Sequence, residues 1–154
     1  MKTKETNPTR PGSPTPCKQA LKAVPRPDIK FDVALVESCW AEIDAGEGKK
    51  KIITGCIYKH LTCNLEQFRN QLNDIIKTIN PNRHEIYIFG DVNINFLKFN
   101  EHTQTEEFLD MLYANNILLI ITKPTRLTDH TATLIDHIYT NCLQNFTDSR
   151  NPDS

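Results

Sequence analysis

From Leu65 through Phe68, Leu72, Ile75 and Ile76 to Ile79, apolar residues recur three or four positions apart. That spacing lines one face of a helix. Asn64 with Gln67 three residues on resembles a capping box, and Asn80-Pro81 supplies the stop. On either side the period changes. "KIITGCIY", Lys51 to Tyr58, is β-branched and bounded by polar residues, and "EIYIFG", from Glu85, is a short apolar run; both predict strands. "FDVALVESCWAEI", Phe31 to Ile43, predicts a short strand leading into a second, with "DAGEGKKK" as the hairpin connection. A second helix fits Thr105 to Tyr113, with Thr103 as cap, Glu106 at its third position, and Phe108, Leu109 and Leu112 inward. It leads into the strand "ILLII", Ile117 to Ile121. A polar Thr-rich loop then precedes "LIDHIYTN", a strand with Leu134, Asp136 and Ile138 on one side. Helices placed between strands predict a layered α/β domain.

With 154 residues, 38% of them hydrophobic, the chain can bury one sizeable core. A formal charge of -1 gives no global electrostatic case for a polyanion partner. The charge is unevenly spread, however. Residues 1–30 hold seven Lys or Arg against two acids, together with six of the nine prolines, so they read as a disordered basic leader; residues 148–154 read as a disordered tail. The domain is expected over 31–147. No apolar signal region follows Met1, and no run approaches the roughly 20 residues that span a membrane. Five cysteines without a CxxC pair are expected as reduced thiols in an intracellular, non-secreted protein, nuclear or cytoplasmic.

The candidate chemistry lies in "EIYIFGDVNINF". Gly90 is expected to close the strand with a sharp turn. Asp91 then falls at the mouth of the sheet, where α/β folds place ligands. Asn93 follows two residues later, on the same side of an extended segment. A carboxylate there can orient or deprotonate water, or hold Mg2+, and an amide can grip a phosphate oxygen. An ordinary Gly-Asp-x-Asn turn is the plain alternative. Asp136 sits inside an apolar strand, where a carboxylate needs a partner: it either orients a catalytic histidine or pairs with a basic residue such as Arg126. Tyr58 ends its strand with a hydroxyl that can donate to phosphate, or serves as a rim aromatic. The five histidines have no compact metal spacing. His137 follows Asp136 directly, so in a regular strand it faces the other way.

Taken in order, "GCIYKH", "IYIFGDVNINF", "FLDMLYANNI", "KPTRLT" and "TATLIDHIYTN" resemble the endonuclease domain of non-LTR retrotransposons, part of the endonuclease/exonuclease/phosphatase superfamily. The resemblance covers about residues 31–141. It implies a four-layer α/β sandwich, two mixed β-sheets with outer helices, of which this chain is a partial form truncated at both ends. It also implies hydrolysis of DNA phosphodiesters with Mg2+ or Mn2+. By motif, Tyr58 lies near the scissile phosphate, Asp91 positions or activates the water and is the possible metal contact, Asn93 orients phosphate, and Asp136 buttresses the catalytic histidine. The metal-binding glutamate motif of the family has no match before Phe31, and its Ser-Asp-His motif has no match after Asn141. Asn95 stands where these relatives carry Asp. Three functions follow as expectations: a fragment of a retrotransposon-derived, Mg-dependent DNA endonuclease with impaired or no activity; an active endonuclease completed by further sequence or another chain; or a non-catalytic remnant that binds nucleic acid or protein.

Overall fold

A computed structural model describes residues 22–98 and 100–142. The expected leader before residue 22 and the tail at 148–154 lie outside the described residues. Strands β1 (Lys22–Pro25), β2 (Val36–Asp44), β3 (Lys51–Lys59), β4 (His84–Asp91), β5 (Leu118–Leu119) and β8 (Asp136–Thr140) form one mixed sheet in the order β1-β2-β3-β4-β8-β5. Only β3 and β4 run parallel, joined through helix α1 (Leu65–Ile79). That pairing follows from the connection, since parallel neighbours need a crossover long enough for a helix. Helix α2 (Thr103–Ala114) follows β4, and β6 (Arg126–Leu127) with β7 (Ala132–Thr133) makes a small separate hairpin. The sheet and its helical layer are a partial form of the expected sandwich. Among the described residues no second large sheet faces the first.

α1 begins as its sequence predicts, with the Asn64 side-chain oxygen accepting the Gln67 N–H at 2.9 Å. It ends at Asn80 in the left-handed conformation, whose N–H reaches back to the Ile76 and Lys77 carbonyls. α2 departs from expectation: its cap is His102, with no side-chain cap bond, and Thr103 is already helical. Three strand bounds also move. The expected 31–43 strand pair is the single β2, "ILLII" contributes only two paired residues, and the Thr-rich loop contains the β6–β7 hairpin. Residues 22–30, read as part of the leader, instead form β1, which pairs with β2, and a turn that buries Ile29. Proline is compatible with β1 because the strand lies at the sheet edge, where one side of its backbone has no ladder to complete.

Both helices contribute to one core. Phe68 of α1 stacks on Phe108 of α2 with ring centroids 5.8 Å apart, and Phe31 and Phe96 extend the row. Beneath lie Ile53, Ile57, Ile86, Ile88 and Tyr139, all fully buried. Trp40 belongs to the same face and is accommodated because its ring lies over Gly55, where a Cβ would come within 2.4 Å of it. On the opposite face Cys39, Cys56, Tyr58 and Phe89 are exposed. No described helix is long and apolar enough to cross a membrane.

The Tyr139 hydroxyl has no hydrogen-bond partner among the described residues, although the ring is fully buried. A buried unpaired hydroxyl costs stability that its removal recovers. Tyr139→Phe is therefore expected to raise unfolding stability by about 1 kcal/mol, read from the urea midpoint at unchanged slope. A destabilised variant would mean that the hydroxyl is hydrogen-bonded.

Candidate active site

Backbone register brings three of the four sequence-selected residues into one row. Tyr58 on β3 is the partner of Asp91 on β4, and Asp91 is the partner of Asp136 on β8. Directly opposed residues in a sheet project from the same face. The row therefore lies on the face away from the helices, at the end of the sheet where β3 and β4 finish and β8 begins. The Val92 N–H donates to the Ile135 carbonyl at 3.3 Å, so those two residues form the hydrogen-bonded pair. Asp91 and Asp136 are consequently a non-hydrogen-bonded pair, the closer kind, with Cα atoms about 4.5 Å apart.

Two carboxylates so close repel one another unless a cation or water intervenes. Arg126, on β6, meets that need for one of them: its Nη2 lies 3.2 Å from Asp91 Oδ2. The guanidinium is largely exposed, so the pair is screened and worth at most about 1 kcal/mol. Sequence reasoning considered Arg126 only as a partner for Asp136; the fold gives it to Asp91. Its signal was a lone cation in a polar loop, and only the hairpin carries it to the mouth. The Asp136 carboxylate forms no hydrogen bond or ion pair with a described residue. It is the first residue of its strand and half-buried rather than enclosed, so water can solvate it.

Asn93 departs from the extended geometry expected of it. The strand stops at Asp91, and Asn93 takes a positive φ of 51°. Asp91 Oδ1 accepts the Asn93 N–H at 3.0 Å, while the Asn93 side-chain amide donates to the Lys59 carbonyl at 2.8 Å. One of the two amide hydrogens is thus spent on holding β3 to the turn. Asn95 is structural here: its side-chain oxygen accepts the Leu134 N–H at 3.1 Å and the Leu97 N–H at 3.2 Å. Gly90 also departs from expectation. It makes no sharp turn but sits within β4, paired on both sides.

A cleft of about 710 Å³ does not contain the carboxylate row. It opens on the helix side of the same strand ends and includes Asn93, with Lys59, Asn64, Lys98 and His102 among its walls. Lys59 is only 2% exposed, and its ammonium donates to the His60 carbonyl at 3.3 Å. Burial holds its pKa below the ordinary lysine value. His137 lies behind the row. It is 2% exposed, packs at 4.3 Å from Phe96, and shares a 3.2 Å hydrogen bond with the Ile94 carbonyl through Nε2. Burial lowers its pKa to about 4, so at neutral pH the ring is uncharged and donates from Nε2. It does not reach the exposed face as a partner for Asp136.

No group of three or more His, Cys, Asp or Glu is placed to hold a metal ion among the described residues. Asp91 is engaged by Arg126 and Asn93, which leaves Asp136 as the one unengaged carboxylate of the row. The residues present do not fit a resident Mg2+ or Mn2+ site, which needs several oxygen ligands in near-octahedral order.

No family model matches the sequence, and no curated protein matches it. Solved structures do match. The endonuclease domain of TRAS1, a telomere-specific non-LTR retrotransposon, has a TM-score of 0.60 at 13% identity, covering 77% of this chain and 55% of that one. The human Nocturnin catalytic domain with bound sulfate has a TM-score of 0.50 at 11% identity, covering 79% and 48%. An endonuclease/exonuclease/phosphatase family protein from Bacteroides thetaiotaomicron has a TM-score of 0.49 at 11% identity, covering 79% and 50%. The chain spans about half the length of the structures it matches. At these identities the likeness shows the fold alone: a mixed sheet with helices over one face, as in the TRAS1 endonuclease domain.

Proposed function

We propose that the chain is a fragment of a retrotransposon-type, Mg-dependent DNA endonuclease that holds the water and phosphate side of the site and by itself cleaves little or no DNA. The observation that carries this reading is the cross-strand row Tyr58, Asp91, Asp136, with Arg126 at its open side. An exposed guanidinium and a phenol are donors suited to phosphate oxygens. Asp91 is the base or anchor for the attacking water once a phosphate draws Arg126 away, and Asn93 holds the turn that fixes Asp91. Asp136 supplies negative charge next to that water.

What the row lacks explains the low activity. No described histidine hydrogen-bonds to the Asp136 carboxylate, and charge developing on the phosphoryl oxygens meets one arginine rather than a full set of preorganised donors. A missing acid-base partner costs about 10²–10⁴ in rate. The described residues do not fit a resident metal.

Supercoiled plasmid incubated with the purified chain in Mg2+ or Mn2+ is expected to yield no more open circle than with Asp91→Asn. Duplex DNA should nonetheless bind at low salt, and Arg126→Ala should reduce the salt slope by about one unit. A chain that nicks efficiently and loses more than about a hundredfold in Asp91→Asn is an active endonuclease and overturns the impairment. A chain that neither nicks nor binds DNA overturns the whole reading.

A further inference from the structure

Cys39 of β2 and Cys56 of β3 are register partners, so their side chains leave the sheet side by side on the face opposite the helices. Both are exposed and unbonded. The His60 N–H donates to the Leu35 carbonyl at 2.9 Å, which makes Leu35 and His60 a hydrogen-bonded pair. Every second pair from there has the same character, Cys39 with Cys56 included. Such pairs have Cα atoms about 5.5 Å apart. Disulfides bridge Cα separations of about 4.4–6.8 Å, a range that includes this pair, and the Cβ atoms, about 5 Å apart in such a pair, need to close by roughly 1 Å for the sulfurs to bond. The other described cysteines are placed differently: Cys63 is buried and Cys142 partly buried.

We propose that Cys39 and Cys56 form a dithiol site that a small-molecule disulfide converts to a Cys39–Cys56 cross-link. The thiolate of one cysteine attacks a sulfur of the reagent, forming a mixed disulfide and releasing one small thiolate. The second cysteine then attacks the protein sulfur of that mixed disulfide, the cross-strand bond forms, and the second small thiolate leaves. The protein gives up two protons and two electrons, and the reagent is reduced to two thiols. Because the second thiol is held beside the first, the mixed disulfide is short-lived. The bond would tie together the two strands at the centre of the exposed face. Cys56 is two residues before Tyr58 on that same face, so the cross-link would stiffen the strand that brings Tyr58 to the candidate site.

The test uses the full chain, oxidised glutathione and peptide mass mapping. The expected product has lost two hydrogens and contains a linked peptide pair carrying residues 39 and 56. Cys39→Ser should instead retain a stable glutathione adduct on Cys56. Phenylarsine oxide, which takes two thiols on one arsenic with loss of water, is an independent probe. It should bind the reduced chain one to one and lose about a hundredfold in affinity with either Cys39→Ser or Cys56→Ser. Separate adducts on Cys39 and Cys56, cross-links through Cys17, Cys63 or Cys142 instead, failure of both thiols to react, or arsenical binding that is indifferent to the substitutions would each overturn the proposal.

Discussion

Replacing Gly90 with alanine is expected to destabilise the chain severely. Gly90 has a φ of 151°, and a Cβ built on it would lie 1.8 Å from the Ile57 carbonyl oxygen and 2.8 Å from its carbon. Neither neighbour can give way cheaply, because Ile57 is the register partner of Gly90 in the parallel pair and is fully buried. Moving it would separate β3 from β4 at the end of the sheet that carries Tyr58 and Asp91. A cost on the order of 4 kcal/mol or more is expected, much of the 5–15 kcal/mol that a domain typically has. Gly48→Ala provides the comparison: its φ of 74° is also positive, but nothing lies within 4 Å of the added carbon. That variant should lose only about 1 kcal/mol of backbone strain. Urea denaturation followed by circular dichroism separates the two. Equal midpoints for Gly90→Ala and Gly48→Ala would mean that the β3–β4 approach is not as close as described.

Local signals were legible in the sequence and non-local pairing, such as the β3–β4 approach at Gly90, was not. α1 was legible because its signals are local: a cap at Asn64, an apolar face from Leu65 to Ile79 and a stop at Asn80-Pro81 all lie within one segment. β3 and β4 were legible as strands for the same reason. Their neighbours were not. Period two tells which residues share a face, but nothing in "LIDHIYTN" says that its strand runs antiparallel beside "EIYIFGD", placing Asp136 against Asp91. Those two acids came together in the reading only through family resemblance, and register is what places them side by side.

Three misses have a common physical origin. Arg126, the β6–β7 hairpin and β1 are short segments whose structure is imposed by what they touch rather than by their own pattern. β1 contains Pro25 and follows a Pro-rich stretch, yet pairing with β2 and the Arg26 side-chain contacts to Asp28 and Glu42 hold the segment in place. The period-two placement of Asn93 beside Asp91 failed because the strand ends at Asp91, two residues earlier than the pattern needs. A left-handed asparagine can complete such a turn by accepting a positive φ, and the resulting tie to the Lys59 carbonyl couples β3 to the segment after β4.

Acidification from pH 6.5 to pH 4 is expected to remove about 3 kcal/mol of stability through His137 alone. Burial beside Phe96 and Tyr139 lowers the folded-state pKa to about 4, against an ordinary value of 6.5, even though the bond to the Ile94 carbonyl favours the charged ring. The nearby carboxylates of Asp136 and Asp91 favour the charged ring, but desolvation outweighs them. Across this window the unfolded chain binds a proton that the folded chain refuses, so stability is full above the unfolded pKa and is lost as pH falls through the folded one. Each unit of difference is worth about 1.4 kcal/mol, which gives the stated loss. The Lys51 and Arg26 contacts of Glu42 lower its pKa below the ordinary 4.5, so the stability they contribute is full above pH 4.5 and is lost only below it, at the acid end of this window and beyond. His137→Phe keeps a ring beside Phe96 and removes the titration. Its stability, though lower at pH 7 for want of the Ile94 bond, should be nearly flat between pH 6.5 and 4, as measured by urea midpoints at each pH. A slope that persists in this variant would assign the acid sensitivity to another group, and a wild-type chain with no slope in that window would mean that the ring is reached by water and does not lie sealed behind the Asp91–Asp136 pair.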